Sequence, residues 1–278
     1  MYNSYLKGID ELNGGGYEEK EVYALYGEPN VGKTTFLIGE AVSLMENGVR
    51  VIWVDTEGGW QGVWNAWFSK YEKRFGSSIK LDNMFTYKRV LSVEEFCKYF
   101  GFGVSVSYDK NKIGVTLAGE LKGHDLDGSA YEKFGRVKGK LAIIVDSFTS
   151  PIKLQFSTSV QNFSGRADAE SSMLYTLLRF MEKTNAFTII TNHESKNPTD
   201  IYHSNASMRG GNTLKYYSKH IFYFSRPMKK AWRDFRKVVA VRTPIAPEWE
   251  KFVWTHIDEN GYHDSDEQAL EDAENNVK

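Results

Sequence analysis

Short apolar runs alternate along this chain with stretches whose apolar residues recur every three or four positions. Glu21-Val-Tyr-Ala-Leu-Tyr26 is the first run and predicts a buried strand, followed at once by a glycine-containing turn. From Lys33 to Asn47, Phe36, Ala41, Leu44 and Met45 fall at helical spacing, and Asn47-Gly48 supplies a stop. Arg50–Asp55 predicts a second strand and Trp60–Lys73 an aromatic-rich helix; a strand at Met84–Lys88 and a helix at Val93–Phe100 continue the pattern. Strand alternating with helix implies a mainly parallel sheet joined by right-handed crossovers.

Residues 102–118 break the alternation. Val104, Val106 and Tyr108 alternate with polar residues up to Asp109-Lys-Asn-Lys112, and Ile113, Val115 and Leu117 alternate after it, which predicts a β-hairpin. A polar, glycine-containing stretch extends this insertion to about Lys138. The sheet resumes at Leu141–Asp146, an apolar run ending in a carboxylate. A helix is expected over Arg166–Lys183, a strand over Phe187–Thr191 and a long polar loop over His193–Gly211. The stretch His220–Ile257 reads as strands broken by Pro227, Pro244 and Pro247. With no internal repeat and no Pro/Ser-rich linker, one α/β core over 1–263, interrupted by the 102–138 insertion, is expected.

Composition narrows the class. Of 278 residues, 41% are hydrophobic and 26% charged, which is the balance of a globular chain rather than a disordered one. Cys97 is the lone cysteine, so no internal disulfide framework exists, and a reducing compartment is favoured. No apolar run approaches the ~18–20 residues of a membrane span, and the start lacks the form of a signal peptide. A soluble cytoplasmic protein without membrane contact is expected. The net charge of −1 hides an asymmetry: residues 264–278 hold six acids and one lysine, whereas Arg209–Arg242 holds ten Lys or Arg against the single acid Asp234. That basic stretch suits either a polyanion or a solvated face. The acidic tail is expected to be disordered or weakly helical.

The strongest chemical signal is Gly27-Glu-Pro-Asn-Val-Gly-Lys-Thr34, which fits G-x-x-x-x-G-K-[ST] between a predicted strand and a predicted helix. Glycines let backbone N–H groups turn inward around phosphates at the positive end of the following helix. Lys33 would reach the terminal phosphates and the Thr34 hydroxyl would ligate Mg²⁺. Asp146, closing its apolar strand, suits a contact to the same ion, although an acid there also serves as a helix cap. Glu57, just past the second strand, is placed to orient or activate water as a general base, or else is a surface acid. Trp60, Trp64 and Trp67 share one helix face and suit packing better than base stacking.

A family resemblance rests on more than this loop. Leu6-Lys-Gly-Ile-Asp-Glu-Leu-Asn-Gly-Gly-Gly16, the phosphate loop, Asp55-Thr-Glu-Gly58, Val145-Asp-Ser147, Thr191-Asn192 and Gly210-Gly-Asn-Thr-Leu214 occur in one order. In order and spacing they resemble the archaeal RadA/RadB proteins of the RecA family, from about residue 5 to 263 and outside the insertion. The resemblance implies a RecA-like P-loop ATPase core that uses ATP and Mg²⁺ and binds single-stranded DNA in homologous recombination or repair, near the nucleoid. It implies that Gly27, Glu28, Pro29, Asn30, Val31, Gly32, Lys33, Thr34 and Thr35 hold the phosphates, with Thr34 and Asp146 on Mg²⁺ and Glu57 activating water. It further implies that Lys153–Arg166 matches a first DNA-binding loop, with Lys153 and Arg166 at its basic positions. A second loop would run from His193 through Lys196 to Arg209, with Gly210, Gly211 and Asn212 adjoining it. Pro244–Pro247 resembles a segment that caps ATP across a subunit interface.

The departures are informative. His193 stands where the family usually has a glutamine that senses the γ-phosphate, so an altered, pH-sensitive coupling is expected. Gln61 stands where an arginine usually packs on adenine, a role Trp60 or Trp64 could take over. The sequence begins where the family's ATPase core begins, and no Phe-x-x-Ala subunit-gripping motif occurs in it. These features favour a RadB-like accessory protein with a RadA-type partner over a self-associating, filament-forming recombinase. A KaiC-like regulatory ATPase is disfavoured because Glu57-Gly58-Gly59 lacks paired catalytic glutamates.

Overall fold

The computed structural model describes residues 1–58, 60–76, 79, 81–109, 112–156, 163–195, 207–209 and 211–275. Helix α1 (Lys7–Asn13) leads to β1 (Val22–Gly27), α2 (Lys33–Glu46), β2 (Arg50–Asp55), α3 (Trp60–Phe75), α4 (Leu81–Met84) and β3 (Phe85–Arg89). Helix α5 (Val93–Tyr99), the hairpin β4 (Phe102–Asp109) and β5 (Lys112–Glu120), and α6 (Ala130–Phe134) precede β6 (Leu141–Asp146). Then come α7 (Ser150–Gln155), α8 (Phe163–Thr184), β7 (Phe187–Ser195), β8 (Ser207–Met208) and α9 (Gly211–Tyr217). Strands β9 (His220–Ser225), β10 (Phe235–Arg242), β11 (Phe252–Asp258) and β12 (Gly261–Ser265), with α10 (Glu267–Asn275), complete the described chain.

Nine strands follow the order β12-β11-β10-β9-β1-β7-β6-β2-β3 in one sheet, and β8 pairs with β7. From β9 to β3 every pairing is parallel, whereas β10, β11 and β12 are antiparallel. Parallel strands covered on both faces need apolar residues at every position, which is why β1, β2 and β6 read as continuous apolar runs. Their alternate residues serve opposite cores: Ile52 and Val54 join α5 and α8, while Val51 and Trp53 join α2 and α3. The registers set Asp55 beside Asp146 and Gly27 beside His193, so one sheet edge collects the candidate residues.

The predicted hairpin forms as a separate two-stranded sheet. Its inward face, Val104, Val106, Ile113, Val115 and Leu117, packs on the core of α5 and α8. Backbone contact is close: a Cβ on Gly165 would lie 2.3 Å from the Ile113 carbonyl oxygen.

Several elements depart from the sequence reading. The polar loop expected from His193 instead begins as strand, because β7 continues to Ser195 and pairs there with β8. Short helices α7 and α9 flank the expected loops, and β12 adds an unforeseen edge. In the acidic tail, α10 buries Leu270, and its carbonyl oxygen accepts from Trp232 Nε1 at 3.0 Å. No helix among the described residues is long and apolar enough to cross a membrane.

Candidate functional site

Strand β1 runs into the glycine loop under tight steric constraint. A Cβ on Gly27 would lie 2.2 Å from the Phe224 carbonyl oxygen, and one on Gly32, where φ is +105°, would lie 2.3 Å from the Tyr262 hydroxyl. Only glycine fits both places. Side chains from the far part of the sheet hold the loop's carbonyls. Arg226 Nη2 donates to Asn30 O at 2.8 Å, while Arg236 Nε (2.7 Å) and Tyr262 Oη (3.1 Å) donate to Val31 O. A planar trans peptide held by its C=O points the following N–H the opposite way, so this grip directs the Gly32 N–H away from the clamp.

Lys33 is buried, and its ammonium donates to Gly27 O at 3.0 Å and Glu28 O at 2.9 Å. Desolvation lowers its pKa, while the carboxylates of Asp146 and Glu57 oppose that shift. Thr34 Oγ1 donates to Asp146 Oδ2 at 2.7 Å, and Thr191 Oγ1 donates to Asp146 Oδ1. Burial raises the Asp146 pKa against those two hydroxyls. A hydroxyl and a carboxylate in contact form a hard oxygen pair of the kind Mg²⁺ takes, with phosphates supplying further ligands. Among the described residues no cluster of three or more His, Cys, Asp or Glu could hold a metal.

Glu57 is aimed by the turn that follows β2. Asp55 Oδ1 accepts from the Glu57 and Gly58 amides at 3.1 and 2.8 Å, and Tyr87 Oη donates to Asp55 Oδ2 at 2.9 Å. Beside it, Thr56 Oγ1 donates to Ser147 O at 2.6 Å, tying the ends of β2 and β6 together. Three groups converge on Glu57 Oε1: His193 Nε2 at 2.8 Å, Ser147 Oγ at 2.6 Å and Ser150 Oγ at 3.0 Å. The His193 bond, with the two serines, outweighs desolvation and holds the Glu57 pKa down at about 2. Oε2 carries no hydrogen bond to another described residue, and the side chain is 42% exposed.

His193 joins this carboxylate to a basic residue further along. Its carbonyl accepts from the Arg209 amide at 2.9 Å, and Arg209 Nε donates to Glu194 O at 3.0 Å. Asn192 fastens the corner: Oδ1 accepts from Thr149 Oγ1 at 2.6 Å, and Nδ2 donates to Arg209 O.

The sheet edge therefore brings together Gly27 to Thr34, Glu57, Asp146, His193 and Arg209. Lys153 lies in the last turn of α7, where desolvation and then the charge of Arg209 lower its pKa. Arg166 lies in the first turn of α8 with its guanidinium 5.7 Å from the Phe163 ring. Gly211 and Asn212 open α9, while Lys196 and Gly210 lie outside the described residues. Gln61 is exposed in the first turn of α3. Trp64 is a core residue at 5% exposure, and Trp60 stacks on Tyr87 with ring centroids 4.3 Å apart.

The basic stretch 209–242 is largely spent within the fold. Lys219 pairs with Glu21, Lys229 with Glu274 and Arg242 with Glu248, and Arg226 and Arg236 grip the glycine loop. Arg226, Arg236 and Tyr262 escaped the sequence reading because nothing in their spacing links them to a loop about two hundred residues earlier. Arg236 left one hint, an arginine inside an otherwise apolar strand pattern.

A parallel sheet with a glycine loop between its first core strand and helix, and carboxylates closing the neighbouring strands, defines a RecA-like P-loop fold. A crystal structure of the RadB recombinase superposes with a TM-score of 0.64 at 19% identity, covering 96% of this chain and 100% of that one. In sequence the chain is similar to the DNA repair and recombination protein RadB of Methanococcus maripaludis strain C7, 23% identical over 213 residues, 77% of this chain and 80% of the relative. It is also similar to the DNA repair and recombination protein RadA of Methanocorpusculum labreanum, 24% identical over 248 residues, 87% of this chain and 69% of the relative. A 50-residue stretch reaches 43% identity with RadB of Methanoculleus marisnigri. No family model matches the chain.

Proposed function

We propose that the protein is a Mg²⁺-dependent ATPase that binds single-stranded DNA and serves homologous recombination or repair as a RadB-like accessory factor to a RadA-type recombinase. The observation that carries this reading is the hydrogen-bonded run from Glu57 through His193 to Arg209, which joins a candidate hydrolytic carboxylate to a candidate DNA segment. The sequence likeness to RadB, reaching 80% of that relative's length, supports the assignment to recombination.

In this reading the loop Gly27–Thr35 cradles the phosphates of ATP, and Lys33 supplies a charge to them. Thr34 and Asp146 would hold Mg²⁺, which when bound neutralises charge on the phosphates. Glu57 acts through Oε2, since Oε1 is taken by three donors. With its pKa at about 2, the carboxylate is a weak base, so it orients water toward phosphorus more than it removes a proton early. That suits phosphoryl transfer, where positioning and electrostatics supply most of the catalysis. His193 holds Glu57 in place, and its backbone carries the position of Arg209, so DNA on that segment and water on Glu57 report to one another. DNA contacts would be mainly to phosphates and therefore sensitive to salt and indifferent to sequence.

The test is ATP turnover with and without oligothymidine, together with an ATP titration of Lys33→Ala. Stimulation by DNA and loss of ATP binding in the variant are expected. Unchanged ATP affinity in Lys33→Ala would remove the phosphate-loop assignment. The likeness to RadA over 87% of this chain keeps a second reading in play, a filament-forming strand-exchange enzyme. Electron microscopy on single-stranded DNA with Mg²⁺ and a non-hydrolysable ATP analogue separates them: regular filaments mean the second, scattered particles the first.

A further inference from the structure

The hairpin β4–β5 breaks the alternation of strand and helix, and it meets the end of α7 on one strand and the start of α8 on the other. Strand period two sets Val104, Val106 and Tyr108 on one face, opposite Leu117, Val115 and Ile113. The inner pairs pack against α5 and α8. At the tip this ladder outruns its cover: Tyr108 is on the packed face yet 65% exposed. Its hydroxyl meets Gln155 Nε2 at 3.4 Å, and on the other strand the Ile113 backbone lies against Gly165. The hairpin thus touches the end of α7 and the start of α8 at once.

Around that junction stand further uncovered apolar side chains, Leu154 at 66% and Phe163 at 69% exposure. Tyr108 has no ring partner among the described residues, and Phe163 has only the guanidinium of Arg166 near its face. Arg166 from α8 brings a cation to the patch, its guanidinium 5.7 Å from the Phe163 ring. Glu94, the carboxylate nearest Gln155, is occupied by Gln155 Nε2 at 2.7 Å. Exposed rings beside a cation are what an unpaired nucleic-acid strand needs: π-faces for its bases and charge for its phosphates.

We propose that the hairpin is a second wall of the DNA path, on which Tyr108, with Phe163 across the junction, stacks the bases of single-stranded DNA. The proposal rests on the DNA-binding reading above and adds to it a base-stacking role for the hairpin.

Fluorescence anisotropy of labelled oligothymidine with the full chain, Mg²⁺ and a non-hydrolysable ATP analogue tests it. Tyr108→Ala should weaken binding about tenfold, as loss of one stacked base does, and Phe163→Ala should act in the same direction. Tyr108→Phe should bind like the wild type, since the ring is retained. On an abasic oligonucleotide, which keeps the phosphates, Tyr108→Ala and the wild type should bind alike. Wild-type affinity of Tyr108→Ala for oligothymidine, or an equal loss on the abasic strand, would overturn the stacking role and leave DNA binding itself standing. A wild-type chain that binds neither strand would overturn both.

Discussion

The candidate nucleotide edge of the sheet and the hairpin flank meet opposite ends of α7, at Ser150 and Gln155, yet they are built on opposite plans. At the edge almost every polar group has a partner inside the chain: the loop carbonyls are held by Arg226, Arg236 and Tyr262, Asp146 by two threonines, and Glu57 by three donors. At the flank, Tyr108, Leu154 and Phe163 are each more than half exposed and make few contacts. A site for small, highly charged phosphates must be preorganised, because its dipoles act only when fixed before the ligand arrives. A site for a long strand can wait for its ligand to cover it, since affinity is summed over many weak contacts.

That contrast can be broken by substitutions at the edge, each of which should act without DNA. Glu57→Gln carries the largest expected effect, a fall of about a thousandfold in ATP turnover with ATP still bound, read by steady-state rates beside a binding titration. Unaltered turnover would move the water-orienting role elsewhere. Arg236→Ala comes next. This residue, 5% exposed, donates through its guanidinium to Val31 O, Arg233 O and Phe235 O, so removing it takes a donor from three carbonyls and should cost about 3 kcal/mol in denaturant unfolding. Arg236→Lys should recover only part, because an ammonium cannot reproduce the planar fork. If nucleotide affinity survives both changes, the clamp is structural and the loop shapes itself.

The smallest effect is one of pH. Glu57 has its pKa depressed to about 2, with the His193 bond the leading cause. Its ionised form is therefore favoured by folding: the stabilisation is complete above the ordinary value of 4.5 and is lost as pH falls toward 2. His193→Ala should raise the Glu57 pKa toward 4.5, bringing the acid limb of turnover up into the measurable range. An unshifted limb would mean that the two serines alone set the carboxylate.

Much of the edge was legible because its chemistry is local. Gly27 to Thr34 is a contiguous motif, and β2 and β6 match the apolar runs Arg50–Asp55 and Leu141–Asp146 residue for residue. The flank was half legible: alternation gave the hairpin, but nothing in it said against what the hairpin packs. Helices α7 and α9 were missed because elements of six and seven residues owe their stability to neighbours rather than to periodicity. His193 was placed in a loop because β8, the two-residue partner that extends β7 past it, contributes no pattern of its own.

The sequence by itself determined the glycine loop, the parallel core and the carboxylates that end its strands, because each depends on spacing within one segment. The tertiary structure alone decided that Arg236 and Tyr262 would grip Val31, that Ser147, Ser150 and His193 would converge on one oxygen of Glu57, and that Tyr108 would overhang α7. Those contacts join residues tens to hundreds of positions apart, and only strand order and register bring such residues within hydrogen-bonding reach.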